Sequence, residues 1–220
     1  ETPTSDATSA VANVNDAGSG LSLASDGDVA DPDEDDVLSI SGTLADEDGV
    51  SGASPTYVWS TGATSSTLTL GQTNVGTTIS VVISYTDDQS ESNTITLTAD
   101  SDVDNVNDSP SITSSGTTTG TEDTAYSYSI TSSDDDSDSS DSWTITCTTC
   151  PSWLSVSHTA GASTATLSGT PLDANVGANS VVVQVADAAG ATGTESFTIT
   201  VANTNDAPAF SSTAVTTVDE

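Results

Sequence analysis

The residues best suited to chemistry are carboxylates and carboxamides that recur at fixed spacing. Asp46-Glu47-Asp48-Gly49 and Asp134-Asp135-Asp136 place alternate acids on one turn, and Asp87 and Asp187 each close a later turn. Asn-Val-Asn-Asp occurs at 13–16 and 105–108, with Asn-Thr-Asn-Asp at 203–206. Oxygen donors of this kind, gathered six to eight at a time, are the ligands of Ca²⁺. The alternative chemistry is local, because Asx side chains at loop ends also cap turns.

Charge sharpens the question. The 220 residues carry 33 acidic side chains, one histidine and no lysine or arginine, a formal charge of −33. Each carboxylate must therefore be solvated, hydrogen-bonded by backbone or hydroxyl donors, or neutralised from outside, and inorganic cations are the simplest neutraliser. Nucleic acid and anionic membranes are excluded as partners, since both are bound through Lys and Arg.

Other reactive groups are few. Cys147-Thr-Thr-Cys150 is compatible with an oxidising compartment. A redox pair of the thioredoxin kind opens a helix, and a zinc site needs more ligands than His158 can add. A short disulfide bracing the turn before Pro151 and Trp153 is favoured, with free buried thiols as the remaining possibility. His158 lies on a turn-like Ser-His-Thr-Ala-Gly segment, and no spacing of serine, histidine and aspartate supports a catalytic triad. No catalytic residue is expected. The clusters Thr117–Thr119 and Ser137–Ser140 are candidate O-glycan acceptors, and Asp31-Pro-Asp-Glu-Asp-Asp36 is a further ion site or a solvated acidic turn.

The elements that position these groups are strands. Ile79, Val81, Ile83 and Tyr85, then Val181, Val183 and Val185, then Phe197, Ile199 and Val201 place an apolar side chain at every second position, the period of a half-buried strand. No helical stripe and no run of 18 apolar residues occurs, so the chain is expected to be all-β, without membrane insertion. Trp59, Trp143 and Trp153 are expected in or at the edge of the cores, with a sugar-stacking platform as the alternative.

Internal repetition sets the organisation. Residues 106–122 align without gaps on 204–220, and Glu34, Leu38, Ile40, Asp46 and Asp48 match Glu122, Tyr126, Tyr128, Asp134 and Asp136 at one offset. The expected parts are an orphan strand and linker at 1–16, a Greek-key β-sandwich at 17–104, a linker at 105–108, a second sandwich at 109–202, and a linker with a following first strand at 203–220. The size of each repeat suggests seven strands. The end segments 7–14 and 208–220 suit strand pairing with neighbouring repeats or with other copies.

At this level the chain resembles a known family. Pro151-x-Trp153-Leu154, Leu167-Ser-Gly-Thr-Pro171, Asn175-Val-Gly177, Asp187-x-x-Gly190 and Asn205-Asp-x-Pro-x-Phe210 resemble, in order, a bacterial cadherin-like domain of the dystroglycan type. The first repeat, with ADEDGV, YVW, TLTL and NVGTTISVVISYTD, is similar to Ig-like repeats of very large bacterial surface proteins. The resemblance implies an extracellular, cell-surface adhesive or structural array, often stiffened by calcium.

Greek-key topology gathers the candidate Ca²⁺ ligands at the poles. The middle set is Asn105, Asn107, Asp108, Asp134, Asp136 and Asp187 with Glu34. The upper set on the first repeat is Asp46, Asp48 and Asp87 with Asn13, Asn15 and Asp16. The lower set on the second is Glu122 and Asp173 with Asn203, Asn205 and Asp206. The expected function is that of a calcium-stabilised subunit or repeat of a surface fibre, linked head to tail. The alternatives are a spacer or a glycan- or protein-binding module of a giant adhesin, and a halophile-type acidic surface without specific ions.

Overall fold

The computed structural model describes residues 15–136 and 142–213. The chain divides into two compact units, Glu1–Val106 and Asn107–Glu220, the break falling inside the expected linker.

The first unit is a sandwich of two three-stranded sheets. One sheet has the order β1 (Ser19–Ser25), β2 (Val37–Ala45), β4 (Thr67–Thr69). The other is β3 (Thr56–Trp59), β5 (Thr78–Thr86), β6 (Ser92–Asp102), with a register shift between Thr78 and Ser80. Leu38, Trp59, Leu70, Ile79, Val81, Ile83 and Val103 form the core between them. Among the described residues this unit has six strands where seven were expected. Residues 60–66 join β3 directly to β4 and are too few to add a strand with a turn at each end.

The second unit has eight strands among the described residues. One sheet runs β11 (Leu154–His158), β12 (Thr164–Gly169), β9 (Tyr126–Ser133), β7 (Ser111–Ile112). Facing it are β10 (Thr144–Thr149), β13 (Gly177–Ala186), β14 (Thr192–Ala202) and β8 (Thr119–Thr121). The count is higher because β11 stands between β10 and β12 in the chain and the first strand is split into β7 and β8. The chain pairs antiparallel with β9 at Ser111–Ile112, then crosses to pair parallel with β14, Thr200 opposite Thr119. Tyr126, Tyr128, Ile130, Trp143, Ile145, Leu167, Val181, Val183, Val185 and Ile199 fill the core.

The alternating residues behave as their period requires. Ile79, Val81, Ile83 and Tyr85 are buried, as are Val181, Val183 and Val185, while the hydroxyl residues between the valines and isoleucines of β6 and β14 face outward. Trp153 is half-buried, edge-on to Tyr126 at 5.7 Å, and its Nε1 donates to Asn179 Oδ1 at 3.1 Å. Cys147 and Cys150 form a disulfide at the bulge that ends β10. So short a loop removes little chain entropy, about 2 kcal/mol of stability, so its main effect is to brace the corner between the two sheets.

Two expectations concern the ends. The 7–14 strand and Asn13 lie outside the described residues, as do Ser137–Ser140 and residues 214–220. Over 208–213 no strand forms: the backbone has no partner ladder there, and Phe210 is 99% exposed. No helix among the described residues is long and apolar enough to cross a membrane.

Candidate cation-binding poles

In the second unit three sequence-distant segments meet at one end. Asp187 closes the β13–β14 turn by accepting from the Gly190 and Ala191 amides through Oδ1, at 2.6 and 2.8 Å. Its other oxygen accepts from Asn107 Nδ2 at 2.9 Å, and the same nitrogen donates to the Asp108 carbonyl at 2.7 Å. The Asp108 amide donates to the Asp136 carboxylate, and carboxylate oxygens of Asp108 and Asp136 lie within 4.8 Å of each other. Asp134 is buried beside them and Asp134 Oδ1 accepts from the Asp136 amide at 3.4 Å.

Electrostatics follow from those bonds. The Asn107 hydrogen bond is the largest influence on the Asp187 carboxyl and lowers its pKa from 3.8; partial burial opposes it, and the Gly190 and Ala191 amides lower it further. Asp187 therefore stays ionised, as a cation ligand must.

The first unit builds the same end with different contacts. Asp87 accepts from the Gln89 and Glu91 amides, both at 2.9 Å, and from Asn93 Nδ2 at 3.0 Å. Asn15 reaches this group through Asn93, amide to amide, at 2.8 and 3.3 Å. Asp46 accepts from the Asp48 amide at 2.9 Å and from the Tyr85 hydroxyl at 2.6 Å, while Asp48 accepts from Gln89 Nε2 at 2.8 Å. Tyr85 fits because residue 18 is glycine: a Cβ there would lie 2.1 Å from its hydroxyl. In the second unit Val185 replaces the tyrosine and Pro110 the glycine.

Both ends open into an acidic cleft lined by equivalent residues. Asp108, Ser109, Ser111, Ser133, Asp134 and Asp135 line one of about 130 Å³ in the second unit. Asp16, Ala17, Ser19, Ala45, Asp46 and Glu47 line one of about 490 Å³ in the first. Position by position these are the same residues of the repeat. The donors are oxygens, the chemistry of a hard divalent cation, with no thiolate or imidazole among them.

The opposite ends hold buried glutamates. Glu122 is 1% exposed; its Oε2 accepts from the Thr204 amide at 3.0 Å and its own amide donates to the Ala202 carbonyl. Glu34 is buried too, its amide donating to the Asp104 carbonyl. The Gln72 amide lies between Glu34 and Asn105, and its nitrogen facing Glu34 donates at 2.8 and 3.1 Å. Asp173 is exposed on the 3₁₀ turn Asp173–Asn175, and Asn203 and Asn205 donate to the carbonyls of their own neighbours Thr204 and Asp206. Asp173, Asn203, Asn205 and Asp206 are not drawn onto Glu122 by any of these bonds.

Sequence reasoning missed Asn93, Tyr85 and Thr204. Thr204 acts through its backbone, which no side-chain pattern reveals. Asn93 was detectable, because an asparagine stands in the inward phase of β6. His158 Nε2 bonds the Ala162 carbonyl at 2.8 Å and braces its own turn.

The buried phenols make a prediction. Burial first, then the Asp46 and Glu195 carboxylates that Tyr85 and Tyr128 respectively donate to, push these two up to about 12, and burial does the same for Tyr126. A phenol raised in the folded state ionises first in the unfolded chain, so stability is retained below about pH 10 and lost as pH rises towards about 12. Melting temperatures measured across that window are expected to fall steadily while phenolate absorbance lags until unfolding; a flat profile would refute the buried phenol bonds.

One comparison bears on the second unit. Residues 109–202 match the model of the family described as "Putative Ig domain". That match covers the second sandwich and leaves the first to be described by its strand pairing. No curated protein matches the chain. Similar solved structures include the endo-fucoidan hydrolase MfFcnA4 from glycoside hydrolase family 107 (24% identity over 63% of this chain and 20% of that one, TM-score 0.37). Another is the SrpA adhesin from Streptococcus sanguinis (19%, 44% and 59%, 0.36), and a third is protocadherin gamma B2 extracellular cadherin domains 3–6 (13%, 80% and 44%, 0.44). The chain spans less than two thirds of each of these. At such identities and scores none lends its activity to this chain, and the strand pairing itself carries the fold.

Proposed function

We propose that this chain is a non-enzymatic, extracellular structural protein whose sandwiches are stabilised by Ca²⁺ at their acidic poles, serving as a repeat or subunit of a surface fibre or adhesin. The observation that carries this reading is the pair of clefts lined by the same six repeat positions, acidic in both although much of the intervening sequence differs. Asp108, Asp134, Asp136 and Asp187 would hold the ion in the second unit, and Asp16, Asp46, Asp48 and Asp87 in the first. The ion would supply the positive charge that the chain lacks. Calorimetric titration of the whole chain with Ca²⁺ tests this: saturable heat that Asp134→Asn and Asp187→Asn weaken at least tenfold is expected, and no heat in wild type sinks the proposal.

Head-to-tail association has its own support. Phe210 aligns on Ile112, which packs against the second core, yet Phe210 is almost fully exposed. Its ring suits the core edge of another sandwich, in a neighbouring repeat or a second copy. Electron microscopy of the chain is expected to show end-to-end assemblies that Phe210→Asp abolishes; monodisperse particles for both proteins would leave the spacer reading instead.

A further inference from the structure

In both sandwiches the outer oxygen of the turn-closing aspartate receives an amide N–H, and that amide comes from a different place in the sequence each time. In the first unit Asn93, at the start of β6, donates to Asp87 Oδ2 at 3.0 Å, and Asn15 is joined to the aspartate only through Asn93. In the second unit Asn107, the repeat equivalent of Asn15, donates directly to Asp187 Oδ2 at 2.9 Å. Gly193 occupies the position of Asn93, and a Cβ on it would lie 2.0 Å from the Pro110 carbonyl. The missing side chain is what lets residues 107–110 approach β14 and deliver their own amide.

Two unrelated routes to one hydrogen bond mark a requirement of the pole itself. An asparagine that ligated a cation would turn its oxygen toward the carboxylate cluster; Asn107 turns its nitrogen there and bonds the Asp108 carbonyl with the same group. We propose that Asn107 is a positioning residue acting through its N–H, which clasps residues 107–110 to the Asp187 turn without metal, while in the first unit Asn93 supplies the N–H to Asp87 from within the hairpin and Asn15 is held only at one remove. The proposal deepens the cation reading, since the clasp sets Asp108 and Asp187 side by side before an ion arrives, but it stands or falls in the absence of ions.

The experiment uses the whole chain in excess chelator. Asn107→Ala is expected to speed hydrogen exchange at the Asp108 amide about fivefold and to lower the melting of the second unit by about 4 to 8 °C. Asn107→Asp, which keeps an oxygen and discards the N–H, is expected to lose at least as much, since its added charge also faces Asp187. Asn93→Ala should lower the first unit in the same way, whereas Asn15→Ala should shift it by no more than about 2 °C. Wild-type protection in Asn107→Asp, or equal effects of Asn15→Ala and Asn107→Ala, overturns the proposal. If added Ca²⁺ then changes nothing in wild type, the cation reading fails separately, because every arm above is measured without it.

Discussion

Ca²⁺ at about a hundred times its dissociation constant is expected to raise the melting temperature of the second unit by about 10 °C or more. An ion that binds the folded pole and not the unfolded chain stabilises by mass action, about 2.7 kcal/mol at that excess, and a domain of this size gains about 4 to 8 °C per kcal/mol. The effect should exceed that ordinary linkage figure at low salt. Four carboxylates, Asp108, Asp134, Asp136 and Asp187, share one end of a unit that holds no Lys or Arg, so without an ion their mutual repulsion opposes folding. Monovalent salt screens that repulsion but cannot bridge the oxygens, so NaCl should recover only part of the gain. Scanning calorimetry in chelator, NaCl and Ca²⁺ separates the two. If NaCl at matched ionic strength stabilises as much as Ca²⁺, the poles are a solvated acidic surface of the halophile kind and the ligand assignment is wrong.

Asp187→Asn is the informative variant here. It removes one ligand charge and the oxygen that accepts from Asn107, while leaving a side-chain oxygen for the Gly190 and Ala191 amides, so the turn should persist and the Ca²⁺-dependent increment should shrink.

Much of this was legible because strand burial has a short period and the repeat supplies an internal control. Glu34 and Glu122 look like surface acids, yet their alignment marks one structural position, and both are buried. The convergence of Asn107, Asp136 and Asp187 followed from Greek-key connectivity, since turns that cap the same end of a sandwich must meet whatever lies between them. What escaped depends on atoms that a pattern of residue types does not carry. The missing strand of the first unit follows from loop length, which the repeat alignment hid by matching the flanking strands. Thr204 serves Glu122 through a backbone N–H. The exchange of Tyr85 and Gly18 for Val185 and Pro110 is a packing trade visible only once the two sandwiches are compared in space.

Glu195 shows how such a group betrays itself. It stands in the same alternating phase as Phe197, Ile199 and Val201, where an apolar side chain is due, and the aligned residue of the first unit is Ile95, packed against that unit's core. Its carboxylate accepts from the Gly116 amide at 2.7 Å and from the Tyr128 hydroxyl at 2.6 Å, and Tyr128 also shares a 2.7 Å bond with Ser114. Gly116 is tight against Phe197, with a Cβ there 2.6 Å from the ring, so the segment 114–121 lies over the β14 edge and Glu195 fastens it. Hydrogen bonds to a charged group are worth about 1.5 to 3 kcal/mol each, and Ser114 remains to satisfy part of the phenol, so Glu195→Ala is expected to cost about 3 kcal/mol. The melting temperature of the second unit should fall by about 10 °C or more. Glu195→Gln should recover roughly half, since one oxygen still accepts while the new NH₂ faces a donor. Freed of its cover, β14 presents an unpaired edge, so Glu195→Ala should also aggregate at concentrations where wild type does not. Calorimetry with light scattering reads both outcomes. An alanine variant as stable and as soluble as wild type would mean that the parallel β8–β14 pairing, not the glutamate, closes this edge.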